Sequence, residues 1–227
     1  DWQTRPAHMA RGNAMNRFMR ASLATITVVG IAGVALRLSG LWERIEAAWR
    51  WMGSEDGQLR TLDGPLGRFF ARHYAPLNSW LYAAYAKGIG LQPDDEVLDV
   101  ACGSGVFLAK HATHSRRIAG LDMSQAMIDQ ARRENADRIS EGSAEFVVGD
   151  AATLPWPDDT FTVVTSNDVS CYEAKAPAAI KEMYRVLKPG GRAVVGMDRC
   201  EVMEEAGFRR VAGRRVLGAY LTTGFKD

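Results

Sequence analysis

Residues 96–105 read Glu-Val-Leu-Asp-Val-Ala-Cys-Gly-Ser-Gly, from Glu96 to Gly105, and their reading decides the fold. The segment Glu96 to Val100 is a short apolar run of the kind expected for a buried parallel strand. Gly103 and Gly105 follow, and 106–111 reads as a helix. A strand that ends in glycines and opens a helix is where a doubly wound sheet places a phosphate or nucleoside ligand, because the glycines let the ligand approach the backbone. A dinucleotide loop would want a small residue three positions after Gly105, where this chain has Leu108. Asp99, four positions before Gly103, is an odd neighbour for a pyrophosphate, since like charges repel. It suits a ligand that carries an ammonium group.

The same grammar repeats along the chain. Residues 117–122 predict a strand, and Ser124 an N-cap for a helix that runs to about Asn135. Strands are expected at 145–148, 162–165 and 192–196, with a helix over about 176–187 between the last two. Strands separated by helices imply a parallel sheet covered on both faces. A short helix at 202–206 and strands at 208–211 and 217–225 would finish the chain with an antiparallel edge hairpin. The expected fold is α/β, a doubly wound, mostly parallel seven-stranded sheet. Residues 65–227 form that domain, including a helical connector at 65–90, and residues 1–64 form an N-terminal helical arm.

These motifs, in this order, resemble the class I S-adenosylmethionine-dependent methyltransferases over most of residues 70–227. The resemblance implies S-adenosyl-L-methionine as cofactor. It puts the methionine part against Asp99, Ala101, Gly103 and Gly105, both ribose hydroxyls on Asp122, and the adenine face on Met123. The Gly149-Asp150-Ala151 triplet implies that Asp150 accepts from the adenine amino group and that the Ala151 amide contacts the ring. Asn167 falls where a residue after the fourth strand meets the methionine moiety. Arg185-Val-Leu-Lys-Pro-Gly-Gly191 is similar to the turn before the fifth strand, a marker more structural than catalytic. Read alone, each Asp is equally a turn or cap residue. Their joint order is what is specific.

Methyl transfer is an in-line displacement in which alignment supplies much of the acceleration, so a base is optional. Asp168, Tyr172 and His73 are the candidates by predicted position; each also has a plain structural role, as loop cap, pocket wall and solvated helix residue respectively. The loop after the fourth strand, Ser166-Asn-Asp-Val-Ser-Cys-Tyr172, lacks the Asn-Pro-Pro-aromatic pattern of enzymes that methylate exocyclic or amide nitrogens. Residues 72–78 (RHYAPLN) are similar to the aromatic-rich segment before the core in quinone-biosynthesis C-methyltransferases, which implies that Tyr74 caps the cofactor site. The chain departs from that branch at Ala75, where the branch has Asp. It also goes from Met197 to Glu204 almost directly, without the helical insertion many small-molecule members carry there, so a substrate cover is expected from the N-terminal side. A small or lipid-like acceptor follows. The alternative is a non-catalytic or degenerate protein that keeps the cofactor pocket.

Composition sets the remaining bounds. Lys and Arg total 28 against 27 Asp and Glu, for a net charge of +1, which removes the strong electrostatic footprint of a sequence-independent nucleic-acid binder. Cys102, Cys171 and Cys200 are odd in number and contain no Cys-x-x-Cys pair, so neither a disulfide framework nor a metal site is indicated. Residues 21–36 carry no charge, and 38–52 form an amphipathic pattern with Trp42 and Trp49 on its apolar side. Two readings stay open for 21–52: association with a membrane, or packing on the protein's own core. The cofactor is made in the cytosol, so a cytoplasmic domain is expected, at a membrane face on the first reading. Arg5, Arg11, Arg17 and Arg20 before the apolar stretch disfavour a single span that would place them on the far side. The chain begins at Asp1, with Met9 and Met15 downstream, as a fragment or an overextended start would.

Overall fold

A computed structural model describes residues 79–167, 175–196, 199–217 and 219–227. The arm and most of the connector, with the apolar segment 21–36 and the amphipathic segment 38–52, lie outside the described residues. In chain order the elements are α1 (Ser79–Ile89), β1 (Glu96–Val100), α2 (Val106–His111), β2 (Arg117–Asp122), α3 (Gln125–Glu134), α4 (Ala136–Ser140), β3 (Ala144–Val148), β4 (Phe161–Ser166), α5 (Ala176–Val186), β5 (Leu187–Gly196), α6 (Cys200–Glu205), β6 (Arg209–Val216) and β7 (Ala219–Phe225).

The seven strands form one sheet in the order β3-β2-β1-β4-β5-β7-β6. Strands β1 to β5 pair in parallel and β7 runs antiparallel to both β5 and β6. The order reverses between β1 and β4, and a ligand crevice opens at the carboxyl ends of strands at such a point. The parallel strands are apolar on both faces because helices cover both. On one face Leu98, Val100, Val164 and Val195 pack with Ile180 and Met183 of α5 and Met203 of α6. On the other, Val97, Val163 and Val194 pack with Tyr85 of α1, Phe107 and Leu108 of α2, and Ile128 and Ala131 of α3.

Local signals account for most boundaries. Ser124 caps α3, its hydroxyl accepting from the Met127 amide at 3.3 Å. Pro177 stands in the first turn of α5, where its missing N–H has no intrahelical partner to lose. Three features differ from expectation, the first being that β6 runs on to Val216 rather than ending at 211. Helix α4 was not expected: its five residues bury nothing and are too few to show a period. Strand β5 begins at Leu187 rather than at Arg192, because Leu187 already pairs with Phe161. Residues 188–191, expected as a turn, are taken up by a register shift opposite Phe161 and Val163, and Gly190 and Gly191 bond to the Lys226 backbone. A Cβ on Gly191 would lie 2.8 Å from the Thr162 carbonyl, so that close approach requires glycine.

Candidate cofactor site and comparison with known proteins

The loop after β1 curls through three left-handed residues, Ala101 (φ 60°), Gly103 (φ 54°) and Gly105 (φ 69°). The two glycines differ in purpose. A Cβ on Gly105 would lie 2.7 Å from the Ala131 Cβ and 3.0 Å from Asn135 Nδ2, so Gly105 lets α2 pack against α3. A Cβ on Gly103 would meet nothing within 4 Å, leaving an open cradle over the loop. Asn135 locks the turn by donating to the Gly105 carbonyl at 3.2 Å and to the Ala131 carbonyl at 2.9 Å. The Cys102 amide donates to the Leu121 carbonyl at 3.0 Å.

Two carboxylates stand beside the loop, at the ends of neighbouring strands. Asp122 accepts from the Gly103 amide at 2.9 Å on Oδ2 and from the Ser124 amide at 3.0 Å on Oδ1. A carboxylate has about four acceptor positions, so these two bonds do not exhaust it. Asp99 is only 1% exposed, and its Oδ1 has no hydrogen-bond partner among the described residues. Burial, and then the nearby Asp122 charge, push the Asp99 carboxyl well above the usual carboxylate range. Burial first and both carboxylates next push the Cys102 thiol up as well, which keeps it protonated.

Strand β4 adds groups that the sequence motifs did not indicate. Thr165 is the register partner of Asp99, so the two side chains share the face that carries α1. The Thr165 hydroxyl and Asn167 Oδ1 are both buried without a hydrogen-bond partner among the described residues. Ser166 donates to the Val100 carbonyl at 2.7 Å, tying the ends of β1 and β4 across the switch point. From α1, the Tyr85 hydroxyl donates to the Asn167 carbonyl at 3.4 Å, and a Cβ on Gly196 would lie 2.5 Å from that hydroxyl. Strand register brings Thr165 beside Asp99, and the packing of α1 brings Tyr85 to the end of β4; neither belongs to a local motif.

At the other flank, Asp150 follows β3. Its Oδ1 accepts from the Ala152 amide at 2.9 Å and its Oδ2 pairs with Lys175 Nζ at 2.9 Å. Those contacts, the amide first, hold its carboxyl below the usual carboxylate range. Lys175, just before α5, was not among the expected site residues. Met123 is half-buried after β2, and Ala151 packs its methyl on the core. His73, Tyr74, Asp168 and Tyr172 lie outside the described residues, as does Cys171. Among the described residues no group of three or more His, Cys, Asp or Glu side chains is placed to hold a metal ion.

The strand order, the glycine loop at the switch point and the two strand-end carboxylates are the arrangement of a doubly wound α/β domain with its ligand crevice at the carboxyl ends of the strands. A family model described as a methyltransferase domain matches residues 98–195, less than half of the chain. The chain is 37% identical over 106 residues to a demethylmenaquinone methyltransferase of Symbiobacterium thermophilum, covering 45% of this chain and 42% of the relative. It is 30% identical over 131 residues to a malonyl-[acyl-carrier protein] O-methyltransferase of Serratia marcescens, covering 57% and 49%. It thus spans less than half the length of either. A Methanococcus maripaludis structure, described as an S-adenosyl-L-methionine-dependent methyltransferase, shares the fold with a TM-score of 0.59 at 18% identity, covering 70% of this chain and 90% of that one. The [4+2]-cyclase SpnF shares it at 0.55 and 21%, covering 64% and 80%. The matched region is similar to methyltransferase domains, and the named relatives imply S-adenosyl-L-methionine as methyl donor.

Proposed function

We propose that the protein is an S-adenosylmethionine-dependent methyltransferase that acts on a small, lipophilic acceptor. The observation that carries this reading is the buried Asp99 carboxyl, with an orphaned oxygen, beside the open cradle of Gly103. A buried polar atom without a partner is costly in a native fold unless a ligand satisfies it. An ammonium group would do so and would favour the ionised form of Asp99. That residue, the Ala101 backbone and the loop at Gly103 and Gly105 would hold the methionine part, with Asn167 Oδ1 as a second acceptor. Asp122 would take the ribose hydroxyls and Met123 the adenine face. Asp150 and the Ala151 amide would take the adenine edge, and Tyr74 would cap the site.

Bound there, S-adenosyl-L-methionine supplies a methyl group on a sulfonium, open to in-line displacement. The protein then has to align the acceptor and exclude water. Asp168, Tyr172 and His73 are the candidates for holding a proton should the acceptor need a base. A lipophilic acceptor is supported by the relatives named for quinone and sterol methylation, including a cycloartenol-C-24-methyltransferase of Arabidopsis thaliana that is 34% identical over 106 residues, covering 46% of this chain and 32% of that protein. We further propose that residues 21–52 bring the site to a membrane face on the cytoplasmic side. Calorimetry with S-adenosyl-L-methionine tests the pocket: binding lost in Asp99→Ala supports the reading, and no binding to the intact chain ends it. Labelled cofactor incubated with a lipid and quinone extract tests the reaction. Label in an organic-soluble product is the expected result, and label remaining on the cofactor argues for binding alone.

A further inference from the structure

Among the described residues, two large hydrophobic side chains stand out in solvent, Val148 and Leu217. Val148 ends β3, and Leu217 sits in the turn from β6 to β7. These strands occupy opposite ends of the sheet order. Six strand spacings place their edges about 29 Å apart. Both residues nevertheless project from the same end of the sheet. Val148 pairs with Asp122 at the carboxyl end of β2, and β6 passes Leu221, which is level with Gly196 at the carboxyl end of β5, before it reaches its turn. The loop from Ala101 to Gly105 opens at that end.

The turn at Leu217 is a costly place for leucine. It is 63% exposed, and its φ of 48° lies in the left-handed region that favours glycine or asparagine. Arg214 and Arg215 precede it, both exposed, and Arg209 and Arg210 lie at the far end of the same edge strand. Arg214 donates to the Gly88 carbonyl and is anchored; Arg215 has no ion-pair partner among the described residues. Two copies of this strand edge would repel each other, so the arginines oppose pairing with a second copy. A phosphate backbone would use the arginines and have no use for the leucine. An anionic bilayer uses both, the leucine at the acyl boundary and the Arg215 guanidinium among the headgroups.

We infer that the β6–β7 turn docks on an anionic lipid surface and brings the cofactor end of the sheet to it. This rests on the reading of that end as the cofactor site, and it is separate from any role of residues 21–52. The test is co-sedimentation of the full chain with vesicles of phosphatidylglycerol mixed with phosphatidylcholine, against phosphatidylcholine alone. Binding to the acidic vesicles is expected to fall about tenfold in the double variant Arg215→Glu, Leu217→Ser and to change little in Arg209→Glu. Calorimetry with S-adenosyl-L-methionine is run on each variant. Unchanged cofactor affinity shows an intact domain, and no cofactor binding by the unsubstituted chain counts against the cofactor reading rather than the docking surface. Absent vesicle binding, equal loss in Arg209→Glu, full binding by the double variant, or RNA binding that depends on Arg215 but not on Leu217 would each overturn the inference.

Discussion

The Gly103 amide donates to the Asp122 carboxylate at 2.9 Å, which fastens the glycine loop after β1 to the end of β2. A residue proposed to serve the ribose therefore also shapes the loop proposed to hold the methionine part. In Asp122→Asn one amide N–H must face either the Gly103 or the Ser124 N–H. The loss of a charge-assisted bond in a buried site predicts destabilisation of about 1.5–3 kcal/mol. A lower urea midpoint with an unchanged slope, together with weakened cofactor binding, is the expected result.

Asp99 predicts a pH dependence with a definite sign. Its folded carboxyl titrates above the ordinary value of 3.8, so the stability it contributes is full below that value and is lost as pH rises through the raised one. A bound ammonium reverses the preference, and cofactor affinity should therefore increase as pH rises through the same window. Asp99→Asn removes both trends. Its affinity should be about 10- to 100-fold weaker and nearly flat with pH, as titration calorimetry over a pH series would show.

Gly103 and Gly105 should separate binding from folding. Gly105→Ala pushes a methyl into Ala131 at a left-handed φ, for a predicted loss of about 2–4 kcal/mol in unfolding experiments. Gly103→Ala meets open space and should cost only about 1–2 kcal/mol of backbone strain. Its methyl would occupy the cradle, so the larger effect should be on cofactor affinity.

Lys175 Nζ lies 2.9 Å from Asp150 Oδ2, so on the proposed reading it competes with the adenine amino group for that carboxylate. The pair is exposed, and such pairs are worth about 0–1 kcal/mol, so Lys175→Met should leave the thermal midpoint almost unchanged. Cofactor affinity should increase a few-fold, since Oδ2 no longer needs to be released. Asp150→Ala should weaken binding in either background. Equal affinity in Lys175→Met and the parent would show that Asp150 does not reach the adenine.

The glycine loop, the strand-end aspartates and the alternation of apolar runs with helical stretches were legible because each is a local pattern. Element boundaries were missed where the signal was short or non-local. Helix α4 is five residues long with no apolar period, and β5 begins early because Leu187 finds Phe161 across the sheet. Asp168, Tyr172, His73 and Tyr74 remain sequence expectations.

By itself, the sequence indicated a glycine loop after a strand and placed Asp99, Asp122 and Asp150 at or just beyond the carboxyl ends of three strands. Tertiary structure decided what surrounds them. Register set Thr165 beside Asp99, burial left Asp99 Oδ1 without a bond, and the placement of the helix after β4 brought Lys175 to Asp150. Strand pairing also put β6 at the sheet edge, with Leu217 at the end where the loop opens. The physical reason is that local propensity fixes how a strand alternates, while its neighbours and their offset are chosen by contacts between residues far apart in the chain.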